Sequence, residues 1–474
     1  MCARDMAFAI FILMPFSQFT RAALFAAVFV LKLPTNGRAQ DTRVVNEPVI
    51  PPACAILTAA LIPVGDTTVA DVDERLLDTE RIQRAIDGCA TGKAVVLRAD
   101  GAKRAFLSGP LRLKSGVTLV VDSTVTLFGS RDPRVYDVTP GACGVLAQNG
   151  RGCFALIRAD KTDHAGIMGA GTIDGRGWAS LLNGSVSWWE LAQQARNGPL
   201  TQNCPRLIQT LRSDDFTLYR ITLRNPGQFH VVFDRGDGFT AWGVTINTAN
   251  PIARNTDGID PTSARNVTIT HSVIRAGDDN IAIKGGTSGA TSNVTVSHNH
   301  FYRGHGMSIG SETNGGVDHI LVTDLSVDGA DNGLRIKSNA SRGGLVTNVT
   351  YENVCIRNTK EPILMDTHYT ASAETTGTLV PVFTHILLRN VRIVDGGKIT
   401  FDGYDNARRM ELTLDNVVTD AIDKTTVTSR FVDVRVAKGG TNLRIEGESV
   451  RVTQSAGSGA PMPCAAKFVP FVGR

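Results

Sequence analysis

Most of this chain reads as short apolar strands with alternating side chains, each bounded by Gly, Asn, Asp or Ser. Ala94-Val-Val-Leu97, Val117-Thr-Leu-Val-Val121, Phe216-Thr-Leu-Tyr219, Ile221-Thr-Leu-Arg224, Phe239-Thr-Ala-Trp242 and Val244-Thr-Ile-Asn247 are examples. Further along, the pattern becomes periodic. Asn266-Val-Thr-Ile-Thr270, Asn293-Val-Thr-Val-Ser297, His319-Ile-Leu-Val-Thr323 and Asn348-Val-Thr-Tyr-Glu352 start 27, 26 and 29 residues apart. Between them, after a turn, lies a second strand: Ile281-Ala-Ile-Lys284, Met307-Ser-Ile-Gly310 and Leu334-Arg-Ile-Lys337. A period of that length built from strands predicts an all-β solenoid, in which residues one period apart stack on one another.

Two stretches depart from the strand rhythm. Ile82, Ala85, Ile86 and Cys89 fall at i, i+3, i+4 and i+7, and Gly88 and Gly92 stop the pattern, which predicts one amphipathic helix. Placed ahead of the strands, it would cap the first coil and cover its open edge. Residues 175–203, with Trp188-Trp189-Glu190-Leu191, predict a loop with a short helix, either a buttress on the flank or a wall of a cleft. Strands continue to about Val452, and the tail from Gln454 looks linker-like until Phe468-Val-Pro-Phe-Val472, which is expected to pack outside.

The N-terminus carries a different signal. Arg21 precedes the apolar run Ala22 to Leu31, and Gly37-Arg-Ala39 has the small residues of a signal-peptidase site. The expected organisation is a signal peptide at 1–39 and an extended lead-in at 40–53. A single β-helix catalytic domain then fills 54–453, with a C-terminal tail at 454–474. An uncleaved anchor is the alternative, but the run is short for a bilayer. Met6 or Met14 is an alternative start.

Export changes how charge is read. The 474-residue chain has 49 Lys and Arg against 45 Asp and Glu. Residues 1–39 hold four of the basic and one of the acidic residues, leaving 45 against 44. The remaining chain is therefore close to neutral, and nothing points to nucleic acid. A secreted monomer, free of the membrane after cleavage, is expected. Among the eight cysteines, Cys54 with Cys89 and Cys143 with Cys153 are plausible disulfides, and no CxxC spacing suggests zinc. Cys355, at an apolar strand position, reads as a buried free thiol, and Cys204 with Cys464 is an open pairing.

Four polar motifs sit on the periodic background: Asn255-Thr-Asp257-Gly258, Gly277-Asp278-Asp279-Asn280, Gly304-His305-Gly306 and Arg335-Ile-Lys337. Stacking would bring Asp257, Asp278, Asp279, His305, Arg335 and Lys337 into one column. Three clustered carboxylates cannot all ionise cheaply, so one should be pushed up, separating a proton donor from a base as glycosidic cleavage requires. Asp278 and Asp279 would both reach one cleft only if Gly277 lets the backbone bend. Arg335 and Lys337 project to one side and favour a carboxylated ligand. They also oppose a divalent cation, so a calcium site ranks second.

These motifs resemble the polygalacturonase family of glycoside hydrolases, in particular the bacterial secreted endopolygalacturonases. The likeness runs from about Cys54 to Thr370 and includes Ser108-Gly-Pro-Leu111, Gly171-Thr-Ile-Asp-Gly175, Pro205-Arg-Leu-Ile208 and Phe229-His-Val-Val-Phe233. Asn280 stands where fungal members usually carry Cys. The resemblance implies a right-handed parallel β-helix that hydrolyses α-1,4 bonds of polygalacturonate with inversion and no cofactor. It implies Asp278 as general acid, Asp257 and Asp279 as the carboxylates that hold and deprotonate water, and His305 as support for the acid. Arg335, Lys337 and Tyr369 would bind the galacturonate carboxylate. Alternatives are an exo-acting or related pectin-backbone hydrolase, a calcium-dependent pectate lyase and a non-catalytic adhesin for acidic polysaccharide.

Overall fold

The computed structural model describes residues 40–472 apart from 197, 249 and 371–375; the candidate signal segment lies outside the described residues. All but two of the strands among the described residues join into one parallel hydrogen-bonded system that winds as a right-handed β-helix; Leu146–Ala147 and Thr201–Gln202 form a separate antiparallel pair. A coil is clearest at Val231–Asp234, Asp237–Trp242 and Thr245–Asn247, whose partners one turn on are Ile259–Thr262, Arg265–Thr270 and Val273–Arg275.

Register explains the apolar periodicity. One inward column runs Ile208, Val231, Ile259, Ile281, Met307, Leu334, Ile363 and Ile399, and a second runs Phe239, Val267, Val294, Ile320, Val349, Ile386 and Leu412. All are buried. Each such side chain contributes about 1.5–3 kcal/mol of burial, so the core is a filled rod.

The polar residues opening each repeat also have a structural cause. Asn266, Asn293, His319 and Asn348 have φ of 54, 58, 55 and 52°. This left-handed corner is tolerated best by Asn among residues with a side chain. Asn266 and Asn348 also donate sideways to Asp237 and Asp318 of the preceding coil.

Helix α1, Thr79–Gly88, buries Ile82 and Ile86 against the first coils. Helix α2, Trp188–Arg196, begins with a reciprocal cap, Ser187 N–H to Glu190 and Glu190 N–H to the Ser187 hydroxyl. Trp188 and Trp189 are fully buried, and Trp189 Nε1 donates to the Pro226 carbonyl, so this segment is a buttress. It also reaches the face that carries the four polar motifs, where Gln202 donates to the Asn255 side chain.

Cys54–Cys89 and Cys143–Cys153 are bonded as the spacing suggests. The reading of Cys355 as a free thiol is overturned. It pairs with Cys464 across 109 residues, while Cys204 is the buried free cysteine among the described residues. Coil stacking, which local spacing does not reveal, brings that pair together. Nor is the tail a linker. Asp415 accepts from the Ser458 and Gly459 amides, Tyr302 donates to the Val469 carbonyl, and Arg357 and Arg275 stack on Phe468 and Phe471. The tail thus straps the outside of several coils. Among the described residues, no helix is long and apolar enough to cross a membrane.

Candidate active site

The four motifs meet on one face, but in two adjacent columns. The Asp257, Asp279 and His305 positions stack in the bends that enter the strands starting at Ile259, Ile281 and Met307. Arg335 stacks on Ser308 within the strands, and Lys337 on Gly310. The expected single column is thereby corrected: carboxylates and imidazole come from bends, cations from strand faces.

Gly277 is required for a different reason from the one expected. Its φ is not in the left-handed region; a Cβ there would lie 2.3 Å from the Ala253 carbonyl oxygen. The bend is close-packed on the preceding coil. The left-handed glycines are Gly304 and Gly306, at φ 69 and 73°, on either side of His305. Gly306 N–H is held at 2.9 Å by the Asn280 side chain, which also donates to the Ile274 carbonyl. Asn280 therefore fixes the His305 turn against the Asp278-Asp279 bend.

Asp279 is the most tightly bound carboxylate. It accepts from Lys337 Nζ at 2.7 Å, Arg335 Nη1 at 3.1 Å and Ser308 Oγ at 2.7 Å, all buried. Burial pushes its carboxyl up, but Lys337 and Arg335 outweigh this and hold it below the usual range. Half-buried Asp278 meets His305 Nδ1 at 3.1 Å and accepts from the Asp279 amide at 2.9 Å. Burial again raises it, and the hydrogen bond and charge of His305, with Lys337, pull it far down. Burial lowers the proton affinity of His305, yet Asp278 and Asp279 raise it on balance.

Asp257 is the outlier. Burial first, then Asp260 and Asp278, raise it well above a normal carboxylate. Lys284 Nζ, 3.6 Å away, only partly offsets this, and Asp257 Oδ1 has no hydrogen-bond partner among the described residues. The raised carboxylate expected of the cluster thus exists, and it is Asp257 rather than Asp278. Lys284 itself is anchored on Asp260 at 2.6 Å, and Asp260 is pushed up to about 6, chiefly by burial.

Tyr369 lies beside the cations: its hydroxyl accepts from Arg335 Nη2 at 3.2 Å, and its ring sits 5.4 Å from Arg335 and 5.5 Å from Lys337. All seven residues singled out by the sequence therefore converge. Lys284, Asp260 and Ser308 join them without having been singled out. Lys284 was findable, because Ile281-Ala-Ile-Lys284 aligns with Leu334-Arg-Ile-Lys337 two coils on, across Met307-Ser-Ile-Gly310. Asp278, Asp279 and His305 offer ligand atoms within 4.8 Å of one another. A divalent ion there would have to displace Lys337 and Arg335, which occupy both oxygens of Asp279.

The family model described as glycosyl hydrolases family 28 matches residues 89–458. An endo-polygalacturonase of Pectobacterium carotovorum subsp. carotovorum is 46% identical over 381 residues, 80% of this chain and 90% of that protein. A polygalacturonase of Ralstonia solanacearum is 39% identical over 492 aligned residues, 90% of this chain and 92% of the relative. The solved polygalacturonase of Erwinia carotovora ssp. carotovora superimposes with a TM-score of 0.75 at 42% identity, covering 87% of this chain and 100% of the other.

Proposed function

This chain belongs to glycosyl hydrolases family 28, and we propose that it is an endo-acting polygalacturonase that hydrolyses α-1,4-galacturonosidic bonds of polygalacturonate with inversion. The observation that carries the reading is the Asp279–Arg335–Lys337–Tyr369 cluster directly beside the Asp278–His305 pair. Paired buried cations suit an acidic sugar, and the adjacent carboxylates suit cleavage of its glycosidic bond.

Each group has a task that its surroundings favour. Asp279 is kept ionised by two cations and serves, with Asp257, to hold and deprotonate the attacking water. Asp278 is the general acid. With Asp278 held low and His305 raised, the one proton of this pair rests on the imidazole. A galacturonate carboxylate drawn to Arg335 and Lys337 cancels positive charge that depresses Asp278. The proton then crosses to Asp278 and on to the leaving oxygen. The protein is read as exported through residues 1–39 and active outside the cell as a monomer.

The test is Asp278→Asn. Release of reducing ends from polygalacturonate should fall by about 10²–10⁴-fold; near-normal release would remove Asp278 from the mechanism. Viscosity should drop faster than reducing ends appear, as internal cleavage requires, and a chelator should leave the rate unchanged.

A further inference from the structure

North of the catalytic bends, toward the N-terminal coils, the same face opens into a cavity of about 550 Å³ lined by Arg151, Arg206, Gln209, Gln228, Thr262 and Ser288, among others. Arg206 is in register with the site. Arg206, Phe229, Asp257 and Asp279 each stand two residues before the stacked Ile208, Val231, Ile259 and Ile281. At about 4.8 Å per coil, Arg206 lies roughly 14 Å from Asp279 along the axis.

The Arg206 guanidinium stacks on Phe229 at 5.3 Å and makes no hydrogen bond or ion pair among the described residues. Arg235, which also lines the cavity, is committed: it grips Asp234, another lining residue, through two bonds of 3.1 and 3.0 Å. A half-buried guanidinium with no hydrogen bond to its fork faces a polar cavity in line with the carboxylates of the site; Asp260, Asp234 and Asp257 act on it by charge alone, so its bidentate face stays open to a carboxylate.

On the other side of the catalytic bends the lining differs. The strand positions following Lys337 in register are Asp366, Asp402 and Arg430. Arg430 there is bound to Asp402 through both Nε and Nη2. No uncommitted cation stands at these positions; aspartates occur in this register row on both sides, Asp234 and Asp160 toward the N-terminal coils and Asp366 and Asp402 beyond Lys337, so the difference between the sides is the open guanidinium of Arg206.

We propose that the N-terminal cavity is a carboxylate-reading subsite, in which Arg206 binds the free acid of one uronic acid unit and rejects its methyl ester. The proposal rests on the polygalacturonase reading and adds that ester tolerance is one-sided. A free acid is required over Arg206, and no open guanidinium makes that demand at the Asp366 and Asp402 positions. Esterification removes the charge and one half of the bidentate acceptor, so the fork loses its partner.

Arg206→Gln and Arg206→Lys are assayed on polygalacturonate and on pectins of graded methyl esterification, with thermal unfolding as a control for folding. Arg206→Gln should raise KM on polygalacturonate about tenfold, with a smaller fall in kcat. Its activity should also decline less steeply with esterification than that of the unaltered protein. Arg206→Lys should lie between the two. A normal KM with unchanged ester dependence overturns the proposal, as does a loss confined to kcat at unchanged ester dependence, which would mark a structural role. If the unaltered protein releases no reducing ends from polygalacturonate, the polygalacturonase reading itself fails; if it is active and Arg206→Gln behaves identically, only the subsite fails.

Discussion

At the scale of residues, proton affinity is divided by what each carboxylate touches. Asp279, bound by Lys337 and Arg335, sits low, while Asp257, buried beside other acids, sits high. In the proposed mechanism Asp257 must be ionised to act as a base, so activity should be lost as pH falls through its raised value. His305, the proposed proton reservoir, is raised too, so activity should be lost again as pH rises through its value. Lys284 lowers Asp257, and Lys284→Gln should therefore move the acid limb of the kcat/KM profile to higher pH by about one unit or more. An unmoved limb would mean that another group sets it. Arg335→Ala leaves Asp279 to Lys337 alone and removes a contact for the substrate acid. It should cost about 2–4 kcal/mol in kcat/KM, measured on polygalacturonate. The identities of these side chains were legible in the sequence. Which carboxylate was raised was not, because burial and the Asp260–Lys284 pairing arise only when coils stack.

At the scale of elements, the site depends on bends that only small residues permit. Gly306 combines φ of 73° with a Cβ position 2.2 Å from the Asn332 carbonyl oxygen. Gly306→Ala should destabilise by about 1–3 kcal/mol and displace His305, lowering activity along with the melting temperature. Gly243, at φ 64° but with its nearest neighbour 3.5 Å away on the Arg220 side chain, is the control. Gly243→Ala should cost only about 1 kcal/mol, and activity should stay normal. Strand positions and the first helix were readable from periodicity, and the second helix from the break in that rhythm around Trp188-Trp189-Glu190-Leu191; its Ser187/Glu190 cap was seen only in the structure. The cause of the Gly277 requirement was not, because it is a contact with the Ala253 carbonyl, twenty-four residues earlier in the chain.

At the scale of the molecule, a rod of stacked coils is held at its outside by a returning tail. Cys355–Cys464 closes a 109-residue separation, and the chain-entropy account puts the stabilisation at about 4–5 kcal/mol. Replacing both cysteines by Ser should lower the unfolding free energy by that order in chemical denaturation; an unchanged midpoint would show that the tail's other contacts suffice. The sequence by itself determined the repeat, the inward apolar columns and the residues that carry charge into the cleft, since these follow from side-chain alternation and a period near 27 residues. Tertiary structure alone decided which cysteine Cys355 joins, which aspartate has its proton affinity raised, and that the Arg206 fork is left without a hydrogen bond. Each of these depends on distances between residues many positions apart, which one-dimensional spacing does not contain.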